Sequence, residues 1–273
     1  MSIRKTRKRP VGKNGKASRT GGPVKKLRNG RHLNVDPLKT VYHDRVVDAP
    51  EHFQHLITGS TALLCIDLQY LDAARGHGIF KDAATSGVAI EAQEYYFDRL
   101  ESTVVPNIQR LQASFREHGL EVVHTRIQAL TADGRDRSPG HKRLGILAPP
   151  GSKEADFLRE IRPEGDEIVV NKTASGVFNS TNLDYVLDNL GVSALFIVGV
   201  YTNECVETTV RDASDLGYLV TVVEDCCATV TPKLHEASLA TLRDRYARVI
   251  TAKEALGDLE HFGLRQFDAT PAR

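Results

Sequence analysis

The sequence predicts an α/β protein, a single doubly wound domain whose six-stranded parallel sheet is flanked by helices on both faces. Two observations carry this. Short apolar, β-branched runs recur between Thr61 and Thr251, and between them lie stretches of helical period, several closed by glycine. Strands that alternate with helices pair in parallel, because a right-handed crossover lays each helix back onto the sheet.

The elements follow in order. Thr61–Leu68 is the first strand, apolar up to Asp67. Glu91–His118 is a long helix, with Tyr95, Phe97, Leu100, Val104, Ile108, Leu111 and Phe115 at helical spacing and Gly119 at its end. Pro106 inside it predicts a break or kink near Val105, since proline removes a ladder hydrogen bond. Leu120–Thr125 is a strand. Gln128–Ser152 is polar, contains Gly and Pro, and is long for a connection, so it is a candidate substrate cover. Strands follow at Ile168–Asn171, Ala194–Gly199, Tyr218–Glu224 and Ala247–Thr251. Helices at Leu183–Leu190, Cys205–Leu216 and Pro232–Tyr246 connect them.

Charge divides the chain. Residues 1–35 carry twelve of the 36 Lys and Arg and no Asp or Glu. The remainder holds 24 basic against 35 acidic residues, about −11. Residues 1–34 therefore read as a basic disordered tail, suited to non-specific polyanion contact. They lack stacking aromatics and any recognition motif. Residues 35–60 are expected to cover the body, 61–258 to form the main α/β domain, and 259–273 to extend it. No apolar run is long enough for a membrane span, and no hydrophobic signal region precedes the body, so a cytoplasmic setting is expected. The four cysteines (65, 205, 226 and 227) show no framework spacing, which fits a reducing compartment.

Three strand ends carry chemistry. Cys205 lies in Gly199-Val200-Tyr201-Thr202-Asn203-Glu204-Cys205, where a strand hands over to a helix. Ligands collect at that edge of open α/β sheets, and a helix N-terminus favours thiolate over thiol. Asp67 closes Leu63-Leu64-Cys65-Ile66-Asp67, and Lys172 closes Ile168-Val169-Val170-Asn171-Lys172. A charge at the end of an apolar strand is costly unless paired or exposed. A carboxylate, an ammonium and a thiol at three exits of one sheet make a candidate nucleophilic site.

These runs, with Ile66-Asp67-Leu68-Gln69 and Lys172-Thr173-Ala174-Ser175-Gly176 through Leu183, resemble the isochorismatase-like hydrolases, in particular their cysteine amidohydrolase branch. The similarity covers about Thr61 to Leu256. It implies a catalytic triad of Asp67, Lys172 and Cys205, a cis peptide at Val200–Tyr201, and an oxyanion hole from the backbone N–H groups of Tyr201 and Cys205. The nucleophilic cysteine points to amide rather than vinyl-ether hydrolysis. The stretches from Cys205 to Ala213 and from Glu224 to Thr229 are most similar to ureide-cleaving members, such as biuret and ureidoacrylate hydrolases. Cys226 and Cys227 belong to that structural motif.

No metal or other cofactor is expected. The zinc-binding Asp-x-His pair of nicotinamidases is missing after the second strand, although His77, His124, His141, Asp133 and Asp136 occur in the chain. Substrate-binding candidates are Tyr70, Arg126, Gln128, Phe178, Asn179, Tyr201 and Glu204. Arg126 suits a carboxylate, Gln128 a ureido group and Glu204 an amine. The expected activity is cleavage of a C–N bond in a small amide, carbamoyl or ureido compound through a thioester, releasing ammonia. The resemblance further implies a homodimer or homotetramer. The competing readings are hydrolysis of nicotinamide or a vinyl ether, and a nucleic-acid-associated protein acting through its tail.

Overall fold

The computed structural model describes residues 38–46, 49–82, 84 and 86–268; the basic tail at 1–34 lies outside them. The covering segment holds two short helices, α1 (Lys39–Val46) and α2 (Glu51–Thr58). α2 buries His52 and Leu56 and stops at Gly59, whose φ of 74° closes the turn onto the Leu56 carbonyl. Strand β1 (Thr61–Ile66) is buried along its whole length. The short helix α3 (Tyr70–Ala73) follows it, and then α4 (Ile90–Arg99).

Pro106 does not end the long helix. The chain widens into a π-helical turn at Leu100–Val104 and resumes as α5 (Val105–Glu117), with Pro106 at its start. The wider turn makes room for a ring that would otherwise strike the preceding turn's carbonyl.

The remaining elements are β2 (Glu121–Ile127), α6 (Pro139–Arg143), β3 (Ile168–Lys172), α7 (Leu183–Asn189) and β4 (Ala194–Val200). A π-helical turn (Thr202–Val206) then leads into α8 (Glu207–Leu216), β5 (Leu219–Ala228), α9 (Pro232–Leu242), β6 (Arg248–Ile250) and α10 (Ala252–Asp268). Beyond shifts of one or two residues at other ends, three boundaries differ from expectation. β5 runs on to Ala228, where it pairs with Val200. α9 stops at Leu242, ahead of a turn in which Asp244 has a φ of 65°. The residues read as a C-terminal extension begin inside α10, which buries Ala252, Ala255 and Leu259. That face is mostly alanine, so its periodicity is weak in sequence.

All strands are parallel, in the order β3-β2-β1-β4-β5-β6. The β1 side chains alternate between two cores. Leu63 and Cys65 pack with Phe97, Ile108 and Phe115 on one face. Ala62, Leu64 and Ile66 pack with Leu187, Val206 and Val210 on the other. The strand order reverses between β1 and β4, which opens a crevice at their carboxyl ends. Among the described residues, no helix is long and apolar enough to cross a membrane.

Candidate active site

Asp67 leaves β1 with a φ of 54°, a left-handed conformation that aspartate tolerates better than most residues. Its N–H donates to the Thr125 carbonyl at 3.0 Å, which keeps it joined to β2 after the strand proper ends. Gln69 fastens the exit further. Its buried amide donates to the carbonyls of Ile127 (2.9 Å) and Glu154 (2.8 Å). On the other side, Gly199 pairs with Ile66 and has a φ of 125°; a Cβ there would run into the Ile66 carbonyl. Glycine is thus required for β4 to pass closely under the end of β1.

The turn after Gly199 contains a cis peptide at Val200–Tyr201, where the resemblance places it. It is held by α9. His235 Nδ1 lies 2.9 Å from the Thr202 hydroxyl, and the Ser238 hydroxyl donates to the Thr202 carbonyl at 3.1 Å. Neither anchor carries a sequence signal that separates it from an ordinary helix residue.

Asp67, Lys172 and Cys205 meet in the crevice. Lys172 Nζ stands 2.8 Å from Asp67 Oδ2, a close ion pair whose angle falls outside that of a directed hydrogen bond. The same ammonium donates to Cys205 Sγ at 3.3 Å and to the carbonyls of Ala174 (3.0 Å) and Ser175 (3.1 Å). The Thr125 hydroxyl donates to Asp67 Oδ1 at 3.4 Å. Lys172, Asp67 and Cys205 are 0%, 1% and 4% exposed, so their charges act on one another with little screening.

Burial sets the protonation states. It pushes the Asp67 carboxyl above its ordinary value, against the opposing pull of Lys172. Burial alone would lower the Lys172 ammonium, but Asp67 and Cys205 more than offset this and hold it above its usual range. The Cys205 thiol is pushed well up by burial, partly countered by Lys172 and reinforced by the neighbouring Asp67 carboxylate. The sequence led to a thiolate at a helix N-terminus. In the fold Cys205 sits within the π-helical turn, ahead of α8 and out of solvent, so the resting group is a thiol beside a carboxylate of raised basicity.

A cavity of about 440 Å³ lies against this turn, lined by Tyr201 and Glu204 from the turn itself. Leu71 and Asp72 of α3, Glu154, and the Leu144–Leu147 segment complete much of its wall. The long connection after β2 borders this cavity through its second half. Tyr201 is buried, and its hydroxyl donates to the Asp72 carbonyl at 3.2 Å.

The other candidates divide. Glu204 reaches the cavity; desolvation raises its carboxyl and Lys172 opposes the rise. Tyr70 instead faces His77 edge-on and lies under the Lys153 ammonium. Arg126 is committed to the Ala155 carbonyl (3.0 Å), Asn171 (2.8 Å) and Gln128 (3.3 Å), which also occupies Gln128. Phe178 stacks on Tyr218 at the edge of the core, and Asn179 is exposed. Asp72, next to Tyr201, carried no motif and escaped the sequence reading.

Cys226 and Cys227 are fully buried, and burial raises both thiols, Cys227 to about 12. The three histidines stand apart. His124 pairs with Glu167 at 2.9 Å, and His77 lies 3.7 Å from Glu154. His141 is buried without a hydrogen-bond partner for either ring nitrogen. Among the described residues, no group of three His, Cys, Asp or Glu side chains is placed to hold a metal ion.

Comparison with known proteins places this geometry. The chain is 26% identical to ureidoacrylate amidohydrolase RutB of Acinetobacter baylyi over 234 residues, covering 80% of this chain and 91% of that one. An isochorismatase family protein from Desulfovibrio vulgaris superposes with a TM-score of 0.60 at 27% identity, over 74% of this chain and 98% of its own. N-carbamoylsarcosine amidase from Thermoplasma acidophilum superposes with a TM-score of 0.54 at 25% identity, over 70% and 96%. The isochorismatase domain model matches residues 61–254. With that match spanning the whole sheet and all three strand exits, the chain belongs to the isochorismatase family.

Proposed function

We propose that this protein is a cysteine hydrolase that cleaves a C–N bond of a small amide, carbamoyl or ureido compound through a thioester, releasing ammonia. The observation that carries the reading is the buried contact of Lys172 with both Asp67 and Cys205. A buried ammonium is a poor structural device, because desolvation offsets much of its attraction to a partner. As part of a nucleophilic site, it has a purpose.

In this mechanism Asp67 takes the proton of the Cys205 thiol as substrate enters, and Lys172 holds the resulting thiolate. Sγ attacks the carbonyl carbon. The backbone N–H groups of Tyr201 and Cys205 receive the oxyanion, an effect typically worth about 3 kcal/mol. Asp67 then returns its proton to the departing nitrogen, and ammonia or an amine leaves an acyl-Cys205 thioester. A water, deprotonated by Asp67, attacks the thioester; the acid departs and the proton comes back to Sγ. The likeness to an amidohydrolase and an amidase supports this direction, and the volume of the cavity suits a small substrate.

The test is ammonia release from biuret, triuret, ureidoacrylate, N-carbamoyl amino acids, maleamate and nicotinamide, with and without chelator. Chelator-insensitive turnover that disappears in Cys205→Ala is the expected result. Turnover that survives the substitution overturns the thioester route.

A further inference from the structure

Asp72 is held firmly and left without a partner. Two hydroxyls, Tyr96 (2.9 Å) and Tyr201 (3.2 Å), donate to its main-chain carbonyl, so its backbone is set by two buried rings. Its carboxyl accepts no hydrogen bond among the described residues, and Oδ2 is sealed from solvent. An acceptor withdrawn from water and left unpaired costs about 1–3 kcal/mol, more if it is charged. That cost falls when a ligand sets a positive charge beside the carboxyl.

The rest of the cavity agrees. Glu204 shares the wall with Asp72, and the other charged lining residues are Glu154 and the exposed Lys81. Among the described residues no arginine lines it, and Arg126 is committed to Ala155, Asn171 and Gln128. A carboxylate entering here would meet carboxylates. The remaining surface is largely apolar, with Leu71, Ile79 and Ile146 suited to a methylene chain.

We propose that Asp72 and Glu204 form the recognition pair for a cationic nitrogen group, ammonium or guanidinium, at the far end of the substrate. The inference rests on the amide-hydrolase reading and names its substrate class: small amides or ureas whose acyl carbon meets Cys205 and whose other end carries a positive charge. Ureidoacrylate and N-carbamoylsarcosine, by contrast, carry a carboxylate. Binding is coupled to a proton. Burial, then Asp67 and Glu204, push the Asp72 carboxyl up to about 8, with Lys172 opposing. The other titratable neighbours, Tyr96 and Tyr201, have hydroxyl pKa values raised above their ordinary range by burial and stay neutral. Near pH 7 the empty carboxyl therefore holds a proton, which an arriving cation expels.

The test separates binding from turnover. Full-length protein is titrated calorimetrically with butylguanidinium, butylammonium, butyrate and butanol, in two buffers of different ionisation heat. Butylguanidinium is expected to bind at least about tenfold more tightly than butyrate and to release a proton. Asp72→Asn should abolish the proton release and weaken the cation at least about tenfold. Glu204→Gln, at an exposed position, should weaken it as well, and serves if Asp72→Asn does not fold. Butyrate binding as tightly as butylguanidinium, the absence of cation binding, or cation affinity unchanged in both variants overturns the proposal. Turnover of 4-guanidinobutyramide is then compared with that of succinamate. Cys205-dependent turnover that prefers succinamate keeps the amidohydrolase and overturns the recognition pair. Cation binding together with turnover that survives Cys205→Ala does the reverse.

Discussion

Lys172 and Asp67 form an ion pair at 2.8 Å with both side chains all but shut off from water. The pair is conditional: each charge is tolerable only because the other is there. Lys172→Met leaves Asp67 buried and uncompensated, at a cost of about 3–5 kcal/mol. For a domain of this size the melting midpoint should fall by roughly 6–20 °C. Adding Asp67→Asn should recover part of the loss. Thermal unfolding followed by circular dichroism checks this; a single variant as stable as the parent would refute the pairing account.

On the proposed mechanism, Cys205→Ala should fold normally and turn over at least about 10³-fold more slowly, since the nucleophile is removed. The same thiol should resist alkylation at rest. Burial raises its pKa well above the free value, so the thiolate is scarce at neutral pH. Iodoacetamide labelling, followed by mass spectrometry, should be slower at pH 7 than for free cysteine and should still be rising at pH 9. A plateau below pH 8 would show a thiolate already formed.

Gly199→Ala should cripple the protein. The new Cβ would strike the Ile66 carbonyl, part of a central strand, and the φ of 125° is one that L-residues rarely adopt. A loss of about 3 kcal/mol or more in chemical denaturation is expected. Ala substituted at exposed Gly151, whose φ is 73° but whose Cβ would meet nothing, should cost only about 1 kcal/mol.

His235 predicts acid sensitivity. Burial, with Arg99 adding to it, lowers its pKa to about 4 from an unfolded value near 6.5. The unfolded chain therefore binds the proton first. The contribution of the neutral ring to stability is complete above pH 6.5 and is lost as pH falls toward 4, by up to about 3 kcal/mol. The ring also holds the Thr202 hydroxyl in Cys205's turn. His235→Gln should flatten that part of the stability profile between pH 7.5 and 4.5. An unchanged slope would place the acid sensitivity elsewhere.

Much of this molecule follows from local sequence. The β1 run ending at Asp67, the β3 run ending at Lys172 and the β4 run ahead of Cys205 announce themselves by period and by a polar residue at the exit. Parallel topology brings such exits to one edge of the sheet. Sequence alone also points to the irregularity before Pro106, although not to its π-helical form, because the way a helix absorbs a proline depends on what packs beside it.

Which side chains line the cavity was decided by tertiary structure. Arg126 and Gln128 had suitable chemistry, but Arg126 follows Thr125 on β2 and so points to the opposite face, where Asn171 and the Ala155 carbonyl claim it. Asp72 had no motif, and only the docking of α3 under Tyr96 and Tyr201 makes its carboxyl significant. The state of Cys205 was likewise settled by packing, since burial outweighs the opposing pull of Lys172. By itself the sequence determined the strand order's raw material and the three candidate side chains at the strand exits, which depend on residues near in the chain. Charge state, orientation and the acid-lined cavity depend on desolvation by residues distant in sequence, and that exists only once the sheet and its helices have packed.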